Sequence, residues 1–347
     1  MKKREKRPLA TSNRPQAGSP GEKIMEPAFF RVSPVNIKGL ATQRLMIVLV
    51  TGGCEYARKT GGGCTVCGFM NHARENITET ELVAQLDYVL ARNDLTGVKE
   101  IDLLTLGSFF NDNEVSESAR QKLLERISRL ERIQRVSIES RAEYVTAAKL
   151  KQARDSLPGM RIDFGIGLES ADDYIRNEIV KKGLSKKAFT RTIGIVKAAD
   201  CDLLVYLLIK PPHLSEKEAI ADAIASVRYV FETAAAYEVE TRVAFEPVFI
   251  CENTPLEKLF QKAQYRLVNL WSVVEILKQV HHYGNIFVGL SDENLSKERL
   301  PRSCPRCNGA LVRAIEDFNR TQDISPLTAL NCSCKKDYEH KIHKELI

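Results

Sequence analysis

Six times between about residues 42 and 290 a short apolar, β-rich run gives way to a longer amphipathic stretch, and few folds accept that rhythm. The runs are Leu45 to Thr51, Glu100 to Leu106, Arg135 to Ser140, Arg161 to Leu168, Asp202 to Ile209 and Arg242 to Phe249. Helix signals fill the gaps. Thr78 and Glu81 make a capping box, and Ser116 stands before an apolar stripe of Leu123, Leu124, Ile127 and Leu130. Strands that alternate with helices pair in parallel through right-handed crossovers, so the expected class is α/β, with a sheet either open or curled into a barrel. The near-continuous apolar run LLVYLLI suits a sheet covered on both faces. In such folds the functional groups gather at the carboxyl ends of the strands. Cys54, Gly107-Ser108, Glu139 to Arg141, Glu169 and Lys210-Pro211-Pro212 all follow directly on the runs.

A chain of 347 residues suggests one large domain or one domain plus a small module. The longest apolar runs, Leu45 to Val50 and Cys201 to Ile209, fall short of the roughly 18 residues that cross a bilayer, so no membrane span is expected. The net charge of +6 is unevenly placed: residues 1 to 23 hold seven Lys and Arg against Glu5 and Glu22. The body beyond them is almost neutral. With its Pro, Ser and Gly content, the segment 1–25 reads as a disordered basic tail, either merely solvated or an arm that touches a polyanion. It has no apolar stretch of the kind a secretory signal carries, so a cytoplasmic protein is expected.

In a reducing compartment, nine cysteines point to metal or redox chemistry rather than to disulfides. Cys54, Cys64 and Cys67 form a C-x9-C-x2-C group inside TGGCEYARKTGGGCTVCGF. Three thiolates can hold a four-iron cluster and leave one iron open, and the glycines let the backbone fold closely around it. A zinc site completed by His72 and a set of core thiols are the alternatives. Cys304, Cys307, Cys332 and Cys334 offer four thiolates in two close pairs, the composition of a closed tetrahedral zinc site within a metal-binding module at 298–347. A second iron–sulfur cluster or unliganded thiols would also fit that set. Cys201 and Cys251 read as core thiols. Trp271 reads as a packing residue, and His281 and His282 as the end of a helix. Tyr206, Lys210 and Glu246 are candidates to line the substrate side.

The first cysteine loop resembles the cluster loop of radical S-adenosylmethionine enzymes, in the long-spaced form of the elongator-type catalytic subunit. LTLGSFFND, VSIESRAEYV, GIGLESADDYIRNEIVKKGLS, LLIKPPHLSEKEAIAD, YRLVNLWSVVEILK and the terminal CPRC…CSC resemble, in that order, the radical subunits of archaeosine synthases. The resemblance implies an incomplete (β/α)6 barrel over about residues 40–295. It implies a 4Fe-4S cluster on Cys54, Cys64 and Cys67 whose open iron binds S-adenosylmethionine and cleaves it to methionine and a 5′-deoxyadenosyl radical. Ser108 then stands where the methionine amino group is met, in a Gly-Ser-Phe sequence that departs from the superfamily's acidic motif. Glu139 and Arg141 match the position that meets ribose and carboxylate, Glu169 faces the same opening, and Val66 replaces an aromatic near adenine. Salt bridges at strand ends are the other reading of Glu139, Arg141 and Glu169. The catalytic residue itself is left unassigned. The implied substrate is a tRNA bearing a lysine-modified 7-deazaguanine, supplied by a lysine-transferring subunit and cleaved at C–N to the archaeosine base. An electron donor such as ferredoxin or flavodoxin would be needed. YRLVNLW lacks the family's proline pair before Leu-Trp. A peptide or metabolite substrate keeps the chemistry, and a non-catalytic nucleic-acid-binding protein with structural cysteines is the rival from another class.

Overall fold

The computed structural model describes residues 24–296 and 299–344, so the basic tail lies outside it except for Ile24 and Met25. The described part begins with an antiparallel hairpin of β1 (Phe29–Ile37) and β2 (Leu40–Leu49), turned at Lys38 and Gly39, both of positive φ. α1 (Glu55–Thr60) and α2 (Glu79–Arg92) lead to β3 (Val98–Thr105), α3 (Glu117–Ser128) to β4 (Arg135–Glu139), and α4 (Ala147–Asp155) to β5 (Arg161–Glu169). A π-helical turn (Ile175–Ile179) and α5 (Lys186–Ala198) precede β6 (Asp202–Ile209), and α6 (Glu216–Ala235) precedes β7 (Thr241–Pro247). α7 (Pro255–Gln261) and α8 (Leu270–Val280) reach β8 (Asn285–Val288), and α9 (Asn308–Thr321), α10 (Ser325–Ala329) and α11 (Ser333–His343) follow. The strands lie in sequence order in one sheet, parallel from β2 to β8, and curl into a nearly closed barrel.

All six expected strands are present, with ends displaced by a few residues at most positions. β1 and β8 were not expected. Pro34 interrupts the strand signal of β1, which the fold tolerates because β1 is an edge strand. β8 is only four residues long, too short to show a period. The Thr78–Glu81 capping box and the Ser116 cap both form as expected.

Alternation along the strands sorts their faces. Leu45, Ile47, Leu49, Ile101, Leu103, Val136, Ile138, Phe164, Ile166, Val205 and Phe245 are buried in the main core, packed with the helices. The opposite face at the amino ends carries charge. Arg242 on β7 donates through Nη1 and Nη2 to both oxygens of Glu100 on β3, each at 3.0 Å, and through Nε to Asp163 on β5 at 2.6 Å. These bonds join strands that are not neighbours, so they cross the lumen. Arg44 pairs with Asp102 at 2.8 Å and Arg135 with Asp163 at 2.7 Å on the same floor.

The C-terminal segment completes the wall. Asn319 on α9 accepts from the Val288 N–H and donates to its carbonyl, both at 2.9 Å, and Gln322 does the same for Ile286. Two side-chain amides thus serve β8 where a ninth strand would. Asn36 on β1 donates to the Arg320 carbonyl at 3.0 Å, so α9 spans from β8 to β1. Leu311, Ile315 and Phe318 of α9 belong to the main core, so this segment shares the barrel's packing. Among the described residues no helix is long and apolar enough to cross a membrane.

Replacing Arg242 by Ala leaves Glu100 and Asp163 buried without their shared partner and should lower stability by about 3–5 kcal/mol in urea unfolding. A loss below about 1 kcal/mol, the size of an exposed pair, would contradict the role of the floor.

Candidate active site at the carboxyl ends of the strands

The loop between β2 and α2 is built by backbone capture. Gln85 from α2, fully buried, accepts from the Val50 N–H at 2.7 Å and donates to the Val50 carbonyl, anchoring the strand end. Cys54 then caps α1, which ends at Gly61 with φ of 70°. A Cβ on Gly63 would fall 2.8 Å from the Ala57 Cβ, so the loop folds back on α1 only because glycine stands there. Arg58 Nη1 donates to the Gly53 carbonyl at 2.7 Å. Cys64, Val66 and Leu256 pack in a small cluster with Val180, Leu208 and Ile250, and the Leu256 N–H donates to the Thr65 carbonyl.

A carboxylate that the sequence reading missed ties this loop to β3. Glu114 accepts from the Glu55 N–H at 2.8 Å and from the Ser108 N–H, while Asn111 donates to both Glu114 and Glu55. Its only sequence signal was an acid in the ordinary-looking stretch after Ser108. Hydrogen bonding to Lys59 holds Glu55 down at about 2, with Asn111 adding to the effect.

The expected site residues meet around this loop. Ser108 is fully buried, and its Oγ accepts from the Arg141 N–H at 3.2 Å, linking the ends of β3 and β4. The Arg141 guanidinium lies 3.8 Å from the centroid of the Tyr56 ring, one residue past Glu55, and donates to Glu143 at 2.5 Å. Glu169 has φ of 68° and pairs with Lys182 at 2.7 Å, so the strand-end salt bridge is what its side chain makes here. Among the described residues Glu139 makes no ion pair, and burial pushes it up to about 7, with Lys182 opposing. Glu139, Ser140, Arg141, Gly167 and Lys182 line one pocket.

Further into the lumen stand Tyr206 and Glu246, and Glu293, from the loop after β8, lines a pocket with Glu246 and Arg44. Burial pushes Glu246 up to about 8 and Glu293 to about 7. Lys210 is not with them. Positive φ (62°) at the end of β6 breaks the strand's alternation and sends its Nζ to Glu216 at 3.0 Å, beneath α6 and α8. Cys251 is buried, and a Cβ on Gly68 of the cysteine loop would fall 2.7 Å from the Cys251 Cβ. Cys201 and Trp271 are buried as core residues, and His281 follows the end of α8 as its C-cap.

The two cysteine groups differ in spacing. Cys304 Sγ lies 3.5 Å from Cys307 Sγ and 3.7 Å from Cys332 Sγ, and Cys307 Sγ lies 3.6 Å from Cys334 Sγ. Four thiolates at the zinc–sulfur bond length of about 2.3 Å in a tetrahedron stand about 3.8 Å apart, so the quartet fits one ion. Among the described residues it is the group of potential ligands that closes within 4.8 Å. Cys54, Cys64 and Cys67 do not draw together in that way, with or without His72. Three thiols on one glycine-framed loop are the donor set that three irons of a four-iron cluster would take, with one iron left without a protein ligand.

No family model matches the chain. It is 32% identical to an uncharacterised protein of Methanocaldococcus jannaschii over 87% of this chain and 82% of that one. It is 28% identical to the archaeosine synthase subunit beta of Methanosarcina acetivorans, over 90% of this chain and 88% of the relative. Among solved structures, Elp3 of Methanocaldococcus infernus superposes with a TM-score of 0.50 at 13% identity, over 82% of this chain and 64% of that one, a likeness of fold.

The raised carboxyls of the lumen fix a pH dependence. Folding holds the protons of Glu139, Glu246 and Glu293 more tightly than the unfolded chain, whose value is 4.5, so their contribution is fully present below that value. It is lost as pH rises through about 7 to 8. The urea midpoint should therefore fall between pH 5 and 8, and Glu246→Gln should flatten that fall; an unchanged slope in the variant would refute the assignment.

Proposed function

We propose that this chain, which belongs to the radical S-adenosylmethionine superfamily in the family of archaeosine synthase subunit beta, is the radical-generating subunit of a tRNA-modifying enzyme. The observation that carries the reading is the placement of three cysteines on a glycine-framed loop at the carboxyl mouth of a parallel barrel, directly beside the Glu139–Arg141–Lys182 pocket. Cys54, Cys64 and Cys67 would hold a 4Fe-4S cluster. When bound, that cluster and S-adenosylmethionine supply an electron and a hydrogen-abstracting carbon radical.

The protein's own groups bind, orient and enclose. Arg141 offers a guanidinium for a carboxylate, and Glu139 offers an acceptor for ribose hydroxyls, while Glu169 fixes the cationic side of the pocket through Lys182. Ser108 and nearby carbonyls take the amino group, and the Val66 backbone faces the adenine side. The buried lumen between this mouth and the charged floor excludes water from the reacting carbon. The reaction such a centre would support is C–N cleavage of the lysine side chain on a lysine-modified 7-deazaguanine, which would leave the amidine of the archaeosine base. A partner subunit attaches that lysine, and a ferredoxin or flavodoxin delivers the electron, in the cytoplasm. Cys304, Cys307, Cys332 and Cys334 would hold a zinc ion that fastens the start of α9 to the start of α11.

Anaerobic incubation with S-adenosylmethionine, reductant, the lysine-transferring partner and tRNA, followed by nucleoside mass spectrometry, should reveal the amidine product; unaltered nucleosides would reject the substrate assignment. In reconstituted protein, replacing Cys54, Cys64 and Cys67 together by Ala should abolish the iron while one equivalent of zinc remains. Full iron retention would overturn the cluster assignment, and iron in place of zinc on the quartet would overturn the zinc assignment. Removing residues 1–23, which carry a net +5, should weaken tRNA binding and flatten its salt dependence while S-adenosylmethionine cleavage is unchanged.

A further inference from the structure

The segment after β5 grips the cysteine loop. The Thr65 N–H donates to the Val180 carbonyl and its Oγ1 to the Ile179 carbonyl, both at 2.9 Å, one residue past Cys64. The Tyr56 hydroxyl, two residues past Cys54, donates to the Lys181 carbonyl at 2.8 Å. A Cβ on Gly183 would fall 2.7 Å from that hydroxyl, so the segment passes closer to Tyr56 than any other residue would allow.

This clasp is itself held rigidly. Arg176, fully buried in the π-helical turn, donates to the Leu184 carbonyl at 2.6 Å and to the Ser170 carbonyl at 2.9 Å. Asn177 bonds both the N–H and the carbonyl of Leu184. Lys181 takes φ of 61°, a left-handed conformation that costs energy for a lysine and persists because its surroundings fix it. The outcome of these contacts is the position of Lys182, which points inward to Glu169 at 2.7 Å, each side chain only 13% exposed. Lys182 follows directly on the residue whose carbonyl takes the Tyr56 hydroxyl, so its buried ammonium stands beside the cysteine loop, while Glu169 reaches it from the end of β5.

We propose that Lys182 is a positioning residue for the charge of this centre: the clasp fixes its ammonium beside the cysteine loop, where it makes a cluster on Cys54, Cys64 and Cys67 easier to reduce, and Glu169 holds it there. The inference rests on the cluster assignment above. A reduced cluster carries one more negative charge than the oxidised one, so a fixed cation in a poorly solvated site favours reduction, and an uncompensated carboxylate opposes it. Glu139, which lines the same pocket, makes the balance sensitive, because without Lys182 only Arg141 would stand there against two carboxylates.

The test is a redox titration of reconstituted full-length protein without S-adenosylmethionine, followed by the paramagnetic signal of the reduced cluster. Lys182→Met should lower the reduced-to-oxidised ratio at a fixed poise at least tenfold, which is 59 mV for one electron. Lys182→Arg should stay near the wild type, Glu169→Gln should shift the other way, and the double variant Lys182→Met/Glu169→Gln should return toward the wild type. A Lys182→Met protein with full iron and an unmoved midpoint overturns the proposal. Should that variant fail to take up iron, Glu169→Gln alone decides, and an unmoved or lowered midpoint there overturns it equally. If the wild type takes up no cluster, the cluster assignment falls and this inference falls with it; a wild type with a cluster and unmoved variants defeats only the inference.

Discussion

Arg242 spans the lumen from β7 to Glu100 on β3 and Asp163 on β5, and the rest of the barrel is arranged around that crossing. A buried ion network of this kind is a demanding way to fill a floor, because each charge loses its hydration and must be repaid by several hydrogen bonds. Leu or Phe could fill the same space with less risk. What the network adds is directional: bonds that join strands seven and three, and seven and five, hold their separations as well as their packing. The space above the floor is thereby kept open for Glu139, Tyr206 and Glu246 instead of collapsing into an apolar core.

Closure of the wall follows a different rule. A parallel sheet of seven strands with one antiparallel neighbour leaves an edge at β8, and an exposed edge invites pairing with other chains. Here α9 covers it, with Asn319 and Gln322 presenting amide groups that imitate the missing strand's backbone. The helix is in turn fastened at its start by the cysteine quartet, since Cys307 is its N-cap residue. The four-thiol group and the barrel's integrity are thus one structural matter, even though about 250 residues of chain separate the quartet from the hairpin it helps to cover.

The two groups of cysteines divide by distance. The quartet draws its sulfurs to within van der Waals contact, as one small ion requires, while the first group is spread along a loop tied to its surroundings by Glu114, Arg58 and the clasp of Ile179 to Gly183. Opposite solutions suit opposite tasks. A closed set of ligands gives rigidity, and an open one leaves a face for chemistry.

The sequence by itself determined the α/β class, six strands, two helix caps and the C-terminal cysteine quartet, because periodicity, capping and the close pairing of cysteines are local signals written within a few residues. The resemblance added the barrel and the family. Tertiary structure alone decided that Glu169 pairs with Lys182 and that Lys210 turns away under α6. It also decided that Glu114 ties the cysteine loop to β3, and that β1 and β8 are strands joined through a helix. Each of these depends on which residues meet across the barrel after folding, or on a single positive φ that reverses a strand's parity, and neither is encoded in the spacing of neighbours along the chain.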